Sequence, residues 1–318
     1  MPLVSVVIPT FNRKKLLKEA IDSVMSQTFD DFEIVVSDDG STDGTEEFIS
    51  RMFKEEIIFI KGVHKGLPHA RNEAIKIAKG KYIAFLDDDD WWDEKFLEKT
   101  IERLRRDDVI GVFTNYYKVY ESGIKETGYK EGKVPEIVDL NWIVRGSFID
   151  PSTVVVKKDA IVKTGLFDES LSTTEDWDMW LRMSRKGNFA YIDEKLVYKR
   201  IRVHVGIPMK SAKNDVFVMD KLLSTISNDE YEGIKYSLSE GASRIYSKYA
   251  SFLLHNGEKD LAKKYFKKSL KLKFSGKVIC RYILTFVPMP IAKVLDGAYL
   301  RVAKNYIKSL KLERRTER

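Results

Sequence analysis

Residues 82–92 read Tyr82-Ile-Ala-Phe-Leu-Asp87-Asp88-Asp89-Asp90-Trp91-Trp92, so that a short apolar run leads directly into four aspartates. The apolar run is typical of a buried strand, and a strand end is a rigid place for carboxylates. Because four adjacent negative charges repel one another, the run favours a site where a divalent cation, Mg²⁺ or Mn²⁺, neutralises part of the charge. Asp87 and Asp89 lie on the same side of an extended chain, so we predict that they bind the metal. The alternative is a solvated acidic loop.

The sequence on both sides of this stretch alternates between strand and helix patterns over the first 110 residues. Strand-like runs occupy 3–8, 33–37, 57–60 and 82–86, and the segments between them carry apolar residues at helical spacing. This alternation predicts an α/β fold in which helices cover a mostly parallel, Rossmann-like sheet. Residues 111–208 show a mixed pattern, and we expect them to complete the same domain with its more variable binding surface.

A second acidic cluster follows the second predicted strand and contains Asp38 and Asp39. Carboxylates at the carboxyl end of a parallel strand face the crevice in which open α/β sheets bind ligands. Either aspartate is therefore a candidate to accept hydrogen bonds from a base or a ribose. The turn after the first strand, Pro9-Thr10-Phe11-Asn12-Arg13, lacks the glycine-rich fingerprint of dinucleotide-binding enzymes and the Gly-Lys-Ser/Thr ending of phosphate-loop ATPases. Hydride transfer and ATP hydrolysis are thus disfavoured.

A third group of acids and indoles, Thr173-Thr174-Glu175-Asp176-Trp177-Asp178-Met179-Trp180, opens a predicted helix. In a catalytic interpretation, Asp176 takes a proton from a substrate hydroxyl and a neighbouring tryptophan stacks on the substrate. In the other interpretation, the acids stabilise the helix N-terminus and both tryptophans belong to the core. The residues alone leave both interpretations open.

The segment Tyr198-Lys199-Arg200-Ile201-Arg202-Val203-His204 alternates like a strand and ends in a histidine. Arg200 and Arg202 are candidates to stabilise the charge of a diphosphate, and His204 is a candidate metal ligand. The alternative is an exposed strand whose histidine has an ordinary hydrogen-bond partner. His64 and His69 fall in the loop before the third helix, and we expect no functional role for them.

Residues 209–318 carry helical patterns only, and we predict a basic, all-helical C-terminal region. Residues 259–318 hold 17 basic and 4 acidic residues, whereas the remainder holds 38 and 44. Such a tail indicates an anionic partner. Two interpretations stand side by side: a membrane surface contacted through residues 259–318, and a helical dimer or domain interface with a basic outer face. We expect no nucleic acid.

Cysteine usage and the N-terminus bear on location. Cys280 is the single cysteine, which excludes an intrachain disulfide and a multi-cysteine zinc site. The sequence shows neither a secretion signal at its start nor a run apolar enough to predict a transmembrane helix. We therefore expect a cytoplasmic protein, with peripheral attachment to the inner face of the cell membrane through its tail.

Taken together, the motifs resemble those of the family 2 glycosyltransferases, which have the A-type nucleotide-sugar fold. Residues 4–12 are similar to the opening strand of that family, 33–45 to its uridine-contacting segment, and 66–90 to its helix, strand and Asp-x-Asp motif. Glu175-Asp176 stands where the family has its catalytic pair. The resemblance covers roughly residues 3–205 and implies a donor-binding half, 1–110, and an acceptor-binding and catalytic half, 111–208.

The resemblance implies an inverting, metal-dependent transferase of the hexosyltransferase type, which moves a sugar from a nucleoside-diphosphate sugar to an acceptor hydroxyl. UDP is favoured as the donor nucleotide, and a saccharide or a lipid-linked molecule as the acceptor, in glycan, polysaccharide or glycolipid synthesis. Asp176 is then the general base with Glu175 beside it, and Asp87, Asp89 and His204 are the metal ligands. The predicted donor-binding residues are Pro9, Thr10, Asn12, Asp38, Asp39, Arg71, Asp88, Arg200 and Arg202.

Two other classes of protein compete with this interpretation. A sugar-phosphate nucleotidyltransferase shares the sheet and the need for metal, but residues 9–13 lack the glycine-rich, arginine-containing turn expected there. A non-catalytic nucleotide-sugar or glycan-binding protein requires a broken site, whereas all four motifs are intact. The sequence identifies neither the sugar nor the acceptor nor the oligomeric state.

Overall fold

The computed structural model describes residues 1–53, 56–106, 108–123, 125–201 and 209–288. The chain divides into two compact units, Met1–Gly206 and Ile207–Arg318. The first unit holds the predicted motifs, and the second contains helices only among its described residues.

The described part of the first unit contains a ten-stranded mixed sheet in the order β3-β2-β1-β4-β9-β6-β10-β5, with β7 paired to β6 and β8 to β10. Neighbours among β1 to β4 are parallel, as are β6 and β10, whereas β9 is antiparallel to both β4 and β6. The strands are β1 (Val4–Thr10), β2 (Phe32–Asp38), β3 (Ile57–Lys61), β4 (Tyr82–Phe85), β5 (Trp91–Trp92), β6 (Gly111–Tyr120), β7 (Lys125–Thr127), β8 (Ile137–Val138), β9 (Val154–Lys157) and β10 (Phe189–Ile201).

Helices cover this sheet: α1 (Lys14–Met25), α2 (Thr45–Met52), α3 (Leu67–Ile77), α4 (Phe96–Leu104), α5 (Leu140–Ile143), α6 (Lys158–Thr164) and α7 (Glu175–Ser184). All seven residues of β1 are buried, as expected for a parallel strand with helices on both faces. α1 presents Leu17, Ala20, Ile21 and Val24 to the core at helical spacing. The predicted α/β fold with a mostly parallel central sheet is confirmed.

The parallel arrangement determines where the functional motifs meet. β1, β2 and β4 run in the same direction, so their carboxyl ends, at Thr10, Asp38 and Phe85, lie along one edge of the sheet. The turn after β1, the acidic cluster after β2 and the aspartate run after β4 all follow at this edge. Open α/β sheets bind ligands in this place.

The second unit consists, in its described residues, of α8 (Met209–Thr225), α9 (Asn228–His255), α10 (Lys259–Leu272) and α11 (Gly276–Leu284). Ser227 and Glu230 form a capping box at the start of α9. The predicted C-terminal helical extension is confirmed. Among the described helices, none combines the length and apolar character required to traverse a bilayer.

Candidate active site

A cavity of about 470 Å³ opens at the carboxyl edge of the sheet. Five aspartates and three basic residues contribute to its wall, so its charge is predominantly negative. The lining residues are Pro9, Thr10, Phe11, Arg13, Asp39, His64, Gly66, Leu67, Ala70, Asp87, Asp88, Asp89, Asp90, Lys199 and Arg200. Of the predicted site residues, Pro9, Thr10, Asp39, Asp87, Asp88, Asp89 and Arg200 are thus in one cavity.

One part of the cavity wall combines a fixed carboxylate with an aromatic surface. Asp39 accepts hydrogen bonds from the backbone N–H groups of Lys65 (2.8 Å) and Gly66 (2.9 Å). Gly66 has a φ of +101°, which favours glycine. The rings of Phe11 and His64 are stacked with centroids 4.2 Å apart, and His64 Nδ1 lies 3.1 Å from Asp39. This arrangement is suited to a flat ring such as a nucleobase, which stacks on an aromatic face.

Phe11 and His64 were not predicted as site residues, but both line the cavity. The expectation of no functional role for His64 stays a prediction. A ring in the turn directly after the first strand is a usable sequence signal for Phe11. His64 reaches the site only because its loop folds back over Asp39, which sequence spacing does not reveal.

Asn12 and Asp38 hold the neighbouring loops together. The Asn12 side-chain oxygen accepts from the backbone N–H of Thr42 (2.8 Å), and the Asn12 N–H donates to Ser41 Oγ (2.8 Å). Asp38 is 2% exposed and accepts from the backbone N–H of Ser41 (3.0 Å). Neither residue lines the cavity of about 470 Å³. Direct contact of these two side chains with a donor stays a prediction.

The four aspartates form a turn and do not continue the strand. The backbone N–H of Asp90 donates to the carbonyl of Asp87 (3.1 Å), so the chain reverses between them. The premise of an extended chain that aligns Asp87 with Asp89 is therefore wrong. The turn instead brings one carboxylate oxygen each of Asp87, Asp90 and Asp150 within 4.8 Å of one another. Asp150 comes from the loop before β9, far along the chain.

Basic and hydroxyl side chains hold the aspartates of the turn. Arg13 Nη1 donates to Asp88 (2.9 Å) and Asp89 (3.2 Å), and Thr10 Oγ1 donates to Asp88 (2.8 Å). Burial raises the pKa of Asp88 to about 6, although Arg13 and Thr10 oppose the rise. Lys199 forms an ion pair with Asp150 and lies 3.9 Å from Asp90.

Burial acts on both Asp87 and Asp90, but the pKa of Asp87 is lowered overall and that of Asp90 is raised. At Asp87 it favours the neutral form, but Arg71 and Lys199 outweigh it and hold the pKa of Asp87 below its ordinary value. At Asp90, burial raises the pKa well above the ordinary value in spite of Lys199, and Asp150 and Asp87 add to the rise. Neighbouring positive charge would favour the ionised form of Asp90.

The donor chemistry of this cluster fits a hard divalent cation. Mg²⁺ and Mn²⁺ prefer carboxylate oxygens, and three such oxygens converge here. Asp87 belongs both to this cluster and to the predicted ligand pair. Asp89 is not part of the cluster of three, and its role as a ligand stays a prediction.

Arg71 connects the turn to the predicted catalytic pair. Its side chain is 1% exposed, and it donates from Nη2 to Asp87 (2.6 Å) and from Nη1 to Glu175 (2.7 Å). α3 supplies Arg71 and α7 supplies Glu175, so the bridge crosses the carboxyl end of β4. Arg71 does not line the cavity of about 470 Å³, and its predicted contact with the nucleoside stays a prediction.

Asp176 follows Glu175 in the first turn of α7 and is partly buried. Burial, followed by the negative charge of Glu175, raises the pKa of Asp176 to about 7, whereas Arg71 acts in the opposite direction. A carboxyl group with this pKa is well placed to exchange a proton near neutral pH. The tryptophans of α7 do not face a substrate: Trp177 and Trp180 are each 1% exposed and donate to the carbonyls of Ile143 and Ile149. The core interpretation of these indoles is correct.

The predicted basic strand reaches the site through two residues. Arg200 donates to Glu19 (2.6 Å) and to the carbonyl of Asp89 (3.2 Å), and its guanidinium lies 5.0 Å from the Trp91 ring centroid. Lys199 lines the cavity as well, although it was not predicted to. Arg202 and His204 lie outside the described residues, and their roles stay predictions.

Comparison with known proteins gives a consistent assignment. Residues 5–158 match the model of the family described as Glycosyl transferase family 2. The chain is 33% identical over 229 residues to the UDP-Glc:alpha-D-GlcNAc-diphosphoundecaprenol beta-1,3-glucosyltransferase WfaP of Escherichia coli, an alignment covering 71% of this chain and 87% of that protein.

Two solved structures share the fold. S. aureus TarS 1-349 in complex with UDP-GlcNAc gives a TM-score of 0.68 at 21% identity and covers 97% of this chain and 92% of that chain. The mannosyltransferase PcManGT from Pyrobaculum calidifontis, in complex with GDP-Man and Mn²⁺, gives 0.57 at 18% identity and covers 89% and 87%. The motifs, the fold and the sequence relative agree: this chain is a glycosyltransferase, and it belongs to glycosyl transferase family 2.

Proposed function

We propose that this protein transfers a sugar from a nucleoside-diphosphate sugar to an acceptor hydroxyl with inversion at the anomeric carbon, in a metal-dependent reaction. The observation that carries the proposal is that one cavity is lined both by Phe11 and Asp39 and by the aspartate turn with its basic partners. The first group suits a base, and the second suits a diphosphate with a divalent cation.

Relatives guide the choice of substrates. The TarS structure holds UDP-GlcNAc and the WfaP name specifies UDP-Glc, whereas PcManGT holds GDP-Man, so we propose UDP as the favoured nucleotide. The WfaP name also specifies a diphosphoundecaprenol acceptor. We therefore propose a lipid-linked saccharide as the acceptor class, in the synthesis of a surface glycan or glycolipid.

Asp87 with Asp90 and Asp150, or Asp87 with Asp89, would hold the metal, Mg²⁺ or Mn²⁺. When bound there, a divalent cation supplies positive charge that neutralises the leaving diphosphate. Arg13, Lys199 and Arg200 line the same cavity, so the chain's own cations add to this stabilisation.

In the proposed reaction, Asp176 accepts the proton of the acceptor hydroxyl while that oxygen forms a bond to the anomeric carbon. The bond from this carbon to the diphosphate oxygen breaks, and the nucleoside diphosphate leaves with the electron pair. A single displacement of this kind inverts the configuration. Arg71 donates hydrogen bonds to both Glu175 and Asp87, which keeps the proposed base at a fixed position relative to the donor site.

Calorimetric titration of UDP and GDP, with and without Mn²⁺, tests the donor site. We expect one nucleotide, UDP, to bind in a metal-dependent manner. Asp89→Ala, Asp90→Asn and Asp150→Asn are compared with the wild type, and loss of a true ligand should weaken binding with Mn²⁺ by about tenfold or more, equivalent to about 1.4 kcal/mol. If Asp87 and Asp89 bind the metal, Asp89→Ala should lose affinity for the nucleotide. If Asp87, Asp90 and Asp150 bind it, Asp90→Asn and Asp150→Asn should lose this affinity. If neither nucleotide binds the wild-type protein with Mn²⁺ present, the proposal is wrong.

The proposed base predicts a pH profile. Asp176 must be ionised to accept a proton, and burial and the charge of Glu175 raise its pKa to about 7, so kcat/KM should fall as the pH is lowered through about 7. Glu175→Gln removes the neighbouring negative charge and therefore lowers the pKa of Asp176. The pH at which kcat/KM falls to half of its plateau value should then move about one pH unit lower. Arg71 and Asp150, the other charged neighbours, remain in place.

The midpoint of this fall in kcat/KM is measured for the wild type, Glu175→Gln and Glu73→Gln. Glu73 is a half-buried residue of α3 paired with Lys76. Because the midpoint does not depend on the plateau rate, a general loss of activity in Glu175→Gln does not obscure it. An unchanged midpoint in Glu175→Gln would show that Asp176 is not the titrating group.

A further inference from the structure

Large apolar side chains project from α11 and from the residues that flank it. Phe274 is 80% exposed, Ile283 54% and Phe286 62%, and Cys280 is also exposed. Cys280 and Ile283 are three residues apart on the helix and therefore share one side of it. We name these four residues the α11 face. Isolated exposed hydrophobic residues are ordinary, but a group within residues 274–286, on α11 and directly beside its two ends, indicates a partner.

The composition of α11 supports this view. Its sequence, Gly276-Lys-Val-Ile-Cys-Arg-Tyr-Ile-Leu284, is mostly apolar, yet Val278 is its one buried residue. Ile279, Tyr282 and Leu284 are partly buried, whereas Cys280 and Ile283 are exposed, so part of the apolar surface of α11 is left in contact with solvent. Amphipathic helices of this kind lie along an apolar boundary with their charged side in water.

Basic residues surround the α11 face. Lys271 and Lys277 are exposed on the two sides of Phe274, and Lys263 lies 4.6 Å from the Phe286 ring centroid. Lys273 is also exposed and pairs with Glu240 at 2.6 Å. Residues 259–288 contain nine basic residues and one acidic residue. The partner that fits this surface is therefore strongly anionic.

We propose that the α11 face binds an anionic membrane, with Phe274, Ile283 and Phe286 inserted among the lipid headgroups and the lysines paired with their phosphates. A second copy of the chain would bring an equally basic surface against this one, which is unfavourable. The phosphates of a nucleic acid would pair with the lysines, but they would leave the apolar side chains exposed to water. A membrane interface takes both kinds of side chain. The inference extends the proposed function, because a lipid-linked acceptor is held at a membrane.

Cys280 allows a direct test because it is the chain's single cysteine and is exposed on the face. The full-length protein is labelled there with an environment-sensitive fluorophore and mixed with phosphatidylcholine vesicles with or without phosphatidylglycerol. We expect a blue shift and a rise in intensity with the anionic vesicles at low salt, and less with neutral vesicles or at high salt. Label on Ser224→Cys in a Cys280→Ser background, at the exposed end of α8, should not respond.

Vesicle sedimentation of a triple variant, Phe274→Ser, Ile283→Ser and Phe286→Ser, measures the contribution of the face. We expect at least a tenfold loss of affinity for anionic vesicles. The matched control is Phe217→Ser, which removes an exposed aromatic residue from α8 and should keep full affinity. UDP titration of the same preparations should give equal affinities, so failure of the donor site and failure of membrane binding are separate results.

Three outcomes would overturn the proposal. One is the absence of a fluorescence response and of sedimentation with anionic vesicles. Another is tight binding of a DNA duplex that the triple serine variant retains and that competes with the vesicles. The third is a dimer in solution that buries the Cys280 label without lipid.

Discussion

Asp176→Asn is expected to lower kcat by about 10²–10⁴-fold, the usual contribution of a general base, while the affinity for the donor nucleotide stays unchanged. The amide keeps the size of the side chain but cannot accept the proton of the acceptor hydroxyl. Asp176 is not among the residues lining the cavity of about 470 Å³ in which we place the nucleotide. Nucleotide binding and turnover should therefore separate.

Single-turnover transfer and calorimetric titration on the same protein provide the measurement. Asp178→Asn is the matched control, because Asp178 lies on the same helix but is paired with Arg182 at 2.8 Å. Near wild-type turnover is expected for this control once its folding has been verified. Asp176→Asn with wild-type kcat would exclude Asp176 as the base, and a parallel loss of nucleotide binding would indicate a collapsed site.

The parts of the fold that depend on local pattern could be predicted from the sequence. The continuous apolar runs of β1, β2 and β4 and the helical spacing in α1 reflect burial by the elements next to them, and the structure has these elements where they were expected. The edge of the sheet follows from parallel strand direction, which places the motifs after β1, β2 and β4 side by side.

Contacts that depend on folding over long separations could not be predicted. Asp150 joins Asp87 and Asp90 from the loop before β9, and Lys199 reaches Asp90 and Asp150 from β10, so no sequence spacing connects the four residues. The reversal at Asp87–Asp90 also changed which carboxylates are close, because strand alternation does not apply in a turn.

The structure adds a physical reason for the coexistence of so many acids in one place. Buried or partly buried carboxylates are tolerated when basic groups reach them, and Arg13, Arg71 and Lys199 each contact two acids of the site. Of these, Arg71 is almost fully buried, so its two ion pairs have the least access to water. Its loss should have the largest effect on stability.

Arg71→Met is expected to lower the free energy of unfolding by about 3–5 kcal/mol, because it leaves the carboxylates of Asp87 and Glu175 without their buried partner. Methionine keeps much of the apolar contact, including that with Phe167, whose ring centroid lies 5.5 Å from the guanidinium. The loss therefore reports mainly on charge. Denaturant unfolding at pH 7 is the measurement.

Arg103→Met is the matched control. Arg103 is similarly buried, at 9% exposure, but its partner Asp108 has a side chain that is 52% exposed and remains hydrated when the arginine is removed. We expect this variant to lose much less stability than Arg71→Met, because an ion pair with an exposed partner is screened by water. If both variants lose the same free energy of unfolding, the ion pairs of Arg71 with Asp87 and Glu175 stabilise the fold no more than the exposed pair of Arg103 with Asp108. A larger loss in Arg71→Met, reduced in Arg71→Lys, would show that the buried positive charge on α3 stabilises the fold through Asp87 and Glu175.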